Sequence, residues 1–182
     1  FFVHDLFPTG SALNFRTQLG FTQLDFNQNN ILGTASNMNG TQTNLDQSGT
    51  VAVSQDRLIQ QDKGFVIQQE VNFGDKIIAT LGLRGDKSSN NGDVNKFYYY
   101  PKANVAINLN EFSFWNFESV NQFKLRAAYG EAGNFAIFGA KYTSFAGAVI
   151  DGIPGVSIRP ALGNDEIGPE RQSEFEFGFD LG

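Results

Sequence analysis

Residues 173–181 read Ser-Glu-Phe-Glu-Phe-Gly-Phe-Asp-Leu. Phe175, Phe177, Phe179 and Leu181 fall on one side of an extended chain, and Glu174, Glu176 and Asp180 fall on the other. A period of two is the signature of a β-strand whose faces meet different surroundings. The same period recurs upstream. In 123–129, Phe123, Leu125, Ala127 and Tyr129 oppose Lys124, Arg126 and Ala128. In 97–109, Phe97, Tyr99, Ala103, Val105, Ile107 and Leu109 oppose Tyr98, Tyr100, Lys102, Asn104 and Asn108. Leu13, Phe15, Leu19 and Phe21 alternate with Asn14, Arg16 and Gln18, while Phe65, Ile67, Val71 and Phe73 alternate with Gln68, Glu70 and Asn72. Lys76 to Asp86 follows across a short Gly74-Asp75 connection, with Ile77, Ala79, Leu81 and Leu83 sharing its apolar face.

Six strands are thus expected, near 11–21, 65–73, 76–86, 97–109, 122–130 and 171–181. They exceed the globular mode of about 5–6 residues and match the roughly 9–11 residues of a tilted transmembrane strand. The connections alternate in length. Residues 22–64 and 131–170 are expected as long loops, the first rich in Asn (Asn27, Asn29, Asn30), the second carrying Pro154, Pro160 and Pro169. Long loops at one end and short turns at the other are the habit of outer-membrane barrels. Two loops of that length are foreign to a compact soluble domain. Aromatic clusters at Phe97–Tyr100 and Phe112–Phe117 are placed to mark the two membrane borders. The competing reading is a soluble β-sandwich whose apolar faces meet inside. The alternation, strand length and loop pattern favour an all-β, antiparallel transmembrane barrel segment.

Composition narrows the function. The 182 residues include 19 Phe, 20 Gly, 18 Asn and 12 Gln but one His, one Trp and no Cys. That mixture is poor in helix formers. No apolar run is long enough for a transmembrane helix. A net charge of −6 argues against nucleic acid as a partner. Without cysteine, and with His4 alone, thiolate chemistry, a His-based triad and a multi-His metal site are all excluded. Asp86, Asn90, Asn91 and Asp93 lack the spacing and closing Glu of an EF-hand loop, so no metal is expected. Arg84-Gly85-Asp86 spells an adhesion tripeptide, but Arg84 and Asp86 share a strand face and are expected to pair or to line a lumen. Glu174 and Glu176 are better explained by strand alternation than by glycosidase chemistry. No cofactor and no catalytic residue are assigned.

Several ordered segments resemble the barrel of SusC/RagA-type TonB-dependent outer-membrane transporters. They are Gly82-Leu83-Arg84-Gly85-Asp86-Lys87-Ser88-Ser89, Tyr100-Pro101-Lys102-Ala103, Phe123-Lys124-Leu125-Arg126-Ala127-Ala128-Tyr129-Gly130-Glu131-Ala132-Gly133-Asn134, and Gly168-Pro169-Glu170 followed by Glu174 to Asp180. The resemblance covers residues 65–182. It implies a 22-stranded barrel in the outer membrane of a Gram-negative bacterium, closed by a plug domain not found in this chain. It also implies energy from TonB, a SusD-like surface lipoprotein as lid, and a glycan or peptide as substrate. Residues 1–182 are accordingly expected to be a piece of a longer barrel. Six strands cannot close one, since the smallest needs eight, and open edges do not survive in lipid.

On this reading Glu70, Arg84, Lys102, Lys124, Arg126, Glu174 and Glu176 form a charged lumen wall. Leu81, Leu83, Val105, Ile107, Phe175, Phe177 and Phe179 face outer-membrane lipid. Lys124 or Arg126 is expected beside Glu174 or Glu176. Loops 22–64 and 131–170 face outside, and Tyr142, Asp151, Arg159 and Asp165 are the substrate-contact candidates, since aromatics and polar groups together orient ligands. Two other functions fit less well: a passive porin or lipid channel, and a secreted β-rich adhesion module.

Overall fold

Alternation carried across hydrogen-bonded neighbours builds one antiparallel sheet. The computed structural model describes residues 2–7, 12–41, 43–117 and 119–182. Its strands are β1 (Phe2–Leu6), β2 (Leu13–Met38), β3 (Ser48–Phe73), β4 (Ile77–Ser88), β5 (Tyr98–Asn108), β6 (Phe123–Asn134), β7 (Phe145–Ile150), β8 (Ile153–Ile158) and β9 (Glu170–Leu181). Seven of them form a sheet in the order β1-β2-β3-β4-β5-β6-β9, and β7 and β8 form a separate pair. β1 and β9 are the sheet's edges and do not pair with one another, so the barrel is not closed.

The six expected strands are all present, and three elements differ from expectation. β1 adds a short strand beside β2. The stretch 22–64 is mostly not a loop: β2 and β3 each run 26 residues and stay paired from Leu13↔Phe73 to Met38↔Ser48. Within 131–170, β6 continues to Asn134 and a β7–β8 hairpin occupies the middle. Its Ile150↔Ile153 closing pair leaves Asp151 and Gly152 as the turn, both at positive φ. Asp-Gly is the turn chemistry such a hairpin requires.

The Gly74-Asp75 connection is a tight turn. Gly74 and Asp75 take φ of 54° and 57°, and the Lys76 N–H donates to the Phe73 carbonyl at 2.9 Å. The Asn72 side chain fastens it from both sides, accepting from the Asp75 N–H at 3.0 Å and donating to the Asp75 carboxylate at 2.8 Å.

Register then sorts the side chains into two faces. One face carries the rows Leu13-Phe73-Ile77-Ile107-Leu125-Phe179 and Phe15-Val71-Ala79-Val105-Ala127-Phe177. Above them come Thr17-Gln69-Leu81-Ala103-Tyr129-Phe175, then Leu19-Ile67-Leu83-Pro101, then Phe21-Phe65-Gly85-Tyr99. Among the described residues no second layer covers this face. Phe21 is 84% exposed and Phe177 76%, whereas Tyr100 and Ala136 are the only buried apolar residues among those described. A soluble domain of this length cannot hold together on so little burial.

The polar pair within these five rows satisfies itself. The Thr17 hydroxyl donates to the Gln69 side-chain carbonyl at 2.6 Å, and the Gln69 amide donates to the Arg16 and Glu70 backbone carbonyls. Aromatic contacts gather at both ends of the band. Phe65 meets Phe97 and Tyr99 at one end, and Trp115 packs on Phe117 and Phe123 at the other.

Candidate functional site

The opposite face is polar, and its charges are built strand by strand. Asp5, Arg16 and Glu70 lie directly opposite one another on β1, β2 and β3. Arg16 approaches Asp5 at 2.7 Å and Glu70 at 3.9 Å, linking three strands through one guanidinium. Arg84 donates to Asp86 at 2.6 Å on the same strand, the pairing expected of these two residues. Arg126 pairs with Asp180 at 2.7 Å. That corrects the expectation of a Glu174 or Glu176 partner. In register Arg126 faces Gly178, so its side chain has room to reach Asp180, while Glu176 and Glu174 face Ala128 and Gly130 higher up.

Small residues shape this face into a trough. On β6 its floor is Ala128, Gly130 and Ala132, flanked by Lys102 and Asn104 of β5 and by Gln172, Glu174 and Glu176 of β9. The trough encloses ≈ 430 Å³ and continues past Arg126 and Gly178. Lys102, Glu174 and Glu176 form no ion pair with any described residue. Its charges are therefore available to whatever occupies the space. Lys102 lies across Gly82, where a methyl group would come within 2.7 Å of its Cε.

All seven charged residues named for the lumen wall share this face by register, and all seven named for lipid share the other. Asp5, Arg16 and Asp180 complete the polar wall. Asp5 carries a signal only once β1 is known to pair with β2, whereas Arg16 already lies on the polar side of its alternating strand.

Above the trough the polar face ends in a packed knot. Asp62, Asp86, Ser88, Asn90 and Asn91 are buried with Tyr100. The 89–97 connection is held there by the Lys141 ammonium, which donates to the Ser89 carbonyl at 2.6 Å, and by the Gly92 N–H on the Ile167 carbonyl at 2.7 Å. Gly64 permits the packing, because a methyl group there would overlap the Asp86 carboxylate.

The four substrate-contact candidates do not converge. Tyr142 and Asp165 belong to the segments at the foot of the β7–β8 hairpin, and the Arg159 N–H bonds Ser144 there at 3.1 Å. Asp151 sits at the tip. Six residues of strand separate tip from foot, about 20 Å. Tyr142 is exposed beneath the Lys141 ammonium. Among the described residues no cluster of His, Asp or Glu could hold a metal ion.

Comparison with known proteins agrees with this geometry. Solved structures of the RagAB peptide importer in its closed-closed and open-open states superpose with TM-score 0.81 at 18% identity, over 99% of this chain and 20% of theirs. A further RagAB peptide transporter structure gives 0.79 over 99% of this chain and 21% of that one. The likeness is one of fold, as the SusC/RagA resemblance implied. TonB-dependent receptor P26 of Formosa agariphila is 42% identical over 66 residues, which is 36% of this chain and 7% of that protein. The chain thus spans a small part of the relatives it matches. A family model described as TonB dependent receptor-like, beta-barrel matches residues 2–182, and the chain belongs to that family.

Proposed function

We propose that this chain is wall and outer-loop structure of a TonB-dependent outer-membrane importer of the SusC/RagA type, carrying peptides or glycans inward with energy delivered by TonB. One observation carries the reading: a single-layer sheet with an uncovered apolar face backed by a polar, troughed one. Lipid on the first face and a water-filled or plugged lumen on the second satisfy both. Family membership supports an outer-membrane location.

In this arrangement Leu81, Leu83, Val105, Ile107, Phe175, Phe177 and Phe179 meet acyl chains. Glu70, Arg84, Lys102, Lys124, Arg126, Glu174 and Glu176 line the lumen. The long β2–β3 hairpin and the 135–169 segment stand on the outer side, with Tyr142, Asp151, Arg159 and Asp165 available to a passing substrate. The isolated β7–β8 hairpin exposes Val149, Ile150, Ile153 and Val156. Two strands alone are marginal in water, which supports a covering partner such as a SusD-like lipoprotein.

The test is uptake of a labelled oligopeptide and a labelled oligosaccharide by intact cells. Accumulation of one class, lost on deletion of the gene and equally on loss of TonB, is the expected result. Uptake that survives loss of TonB identifies a passive channel instead.

A further inference from the structure

The apolar face changes character abruptly at its upper border. Directly above the Phe21-Phe65-Gly85-Tyr99 row, Lys63 of β3 and Lys87 of β4 stand opposite one another on the same face. Residues so paired have Cβ atoms about 4.5–5.5 Å apart, and like charges there are destabilising. Neither lysine forms an ion pair with a described residue. Lys87 rests its ammonium over the Phe97 ring at 5.2 Å. The nearest acid in the ladder is Asp25, a diagonal step beyond Lys63, and it already accepts from the Gln23 amide at 2.7 Å. On β6 and β9 the border is compensated, with Arg171 2.9 Å from Glu131. Among the described strand residues at this border of the apolar face, the unpaired lysines are therefore those of β3 and β4.

Below the two lysines lies a groove of ≈ 440 Å³ whose walls include Phe21, Phe65 and Phe97, with Gln23, Lys63 and Lys87 at its rim. Two cations over an aromatic cleft match an amphiphile with an anionic head and hydrocarbon tail. Nine residues of β2, Leu13 to Phe21, span the apolar band beneath, or about 30 Å along the strand. At the roughly 35–45° tilt of a barrel strand that length is about 23 Å of depth, close to the roughly 25 Å height of such a barrel's apolar band, which places the lysines at headgroup depth.

We propose that Lys63 and Lys87 form a binding site for the phosphate of an outer-leaflet glycolipid, with Phe21, Phe65 and Phe97 receiving its acyl chains. The phosphate sits between the two ammoniums and removes their mutual repulsion. This inference rests on the membrane-barrel reading and deepens it by assigning one lipid to one place on the wall.

The experiment is native mass spectrometry of the full protein, purified in detergent and titrated with lipid A bearing its phosphates or with the same glycolipid stripped of them. Each basic group at an anionic membrane surface contributes about fivefold in affinity. The K63A/K87A double variant is therefore expected to lose about 25-fold for phosphorylated lipid, with K63R/K87R restoring it. Lys76→Ala, at the opposite end of the band, leaves binding unchanged. Retention of folding is read from heat-dependent gel mobility. Equal binding of phosphorylated and stripped lipid, or an unaffected double variant, overturns the proposal. Binding of inorganic phosphate alone at the same affinity overturns the lipid assignment. A protein that stays monodisperse without detergent and takes up neither lipid overturns the barrel reading as well, a failure separate from that of the lysine pair.

Discussion

The lower and upper halves of the β2–β3 hairpin share one hydrogen-bonded ladder and differ in nearly everything else. Below, Leu13 to Leu24 pairs with Asp62 to Phe73, apolar on one face and polar on the other. Above, Asp25 to Met38 pairs with Ser48 to Gln61, and neither face is continuous. Ile31, Gly33, Val53 and Val51 share a face with Asn27, Asn29, Gln55 and Arg57. Leu32 and Leu58 share the other with Asn30, Asp56 and Ser54. Amides replace the aromatic rows, with Gln55 donating to Asn29 at 2.7 Å across the pair. Backbone pairing alone therefore does not distinguish the two halves. The separation of side chains does, and it stops near the Gly64 row, where β4 also ends its pairing at Asp62↔Ser88.

The strongest way to break the comparison is to put one charge into each half. Phe177→Arg, on the uncovered apolar face, is expected to destabilise the barrel by about 2–4 kcal/mol if that face meets the bilayer midplane. Leu32→Arg in the upper hairpin is expected to stay within about 0.5 kcal/mol. Denaturant titration in lipid vesicles reads both, and equal effects would erase the distinction. Gly64→Ala probes the boundary: forcing a methyl group against the Asp86 carboxylate should cost about 1–3 kcal/mol, seen as a lowered denaturation midpoint. Arg126→Ala on the polar face removes a half-exposed pair with Asp180 and should cost under about 1 kcal/mol. That loss should shrink further in high salt. Smallest of all, a ten-residue tag inserted after Gly40, at the hairpin's far turn, is expected to leave stability and membrane insertion unchanged, as exposed loop tips generally do. The same tag after Asp75 would break the turn that sets the β3–β4 register.

The lower half was legible because a two-faced sheet demands apolar and polar residues at alternate positions, and that demand is written into Phe15, Phe65, Val105 and Phe177. The upper half obeys no such demand. Asn27 to Asn30 read as loop because amides are poor strand formers in isolation, yet the ladder begun below carries them into register. β1 was too short to register as a pattern, although Val3 and Asp5 alternate with Phe2, His4 and Leu6. The β7–β8 hairpin lies in a stretch expected as loop, although Asp151-Gly152 between apolar runs is a hairpin signal. Pro154 argued against a strand there, but it lies on β8, in a two-stranded pair where both strands are edges and proline is tolerated. The face of each charged site residue followed from alternation. Which acid Arg126 would choose did not, because that depends on Gly178 leaving space for the side chain to lean.

The upper hairpin also acts as a lever. About 14 residues of paired strand rise beyond the last β4 partner, a reach of about 46 Å. A tilt of about 10° at the Gly64 row would sweep the turn at Gly40 sideways by about 8 Å over that reach. Sub-ångström adjustments in the buried knot at Asp86, Ser88 and Asn91 would thus be magnified many times at the tip. Any tilt at the Gly64 row and displacement at the Gly40 turn would be mechanically geared to one another through two strands.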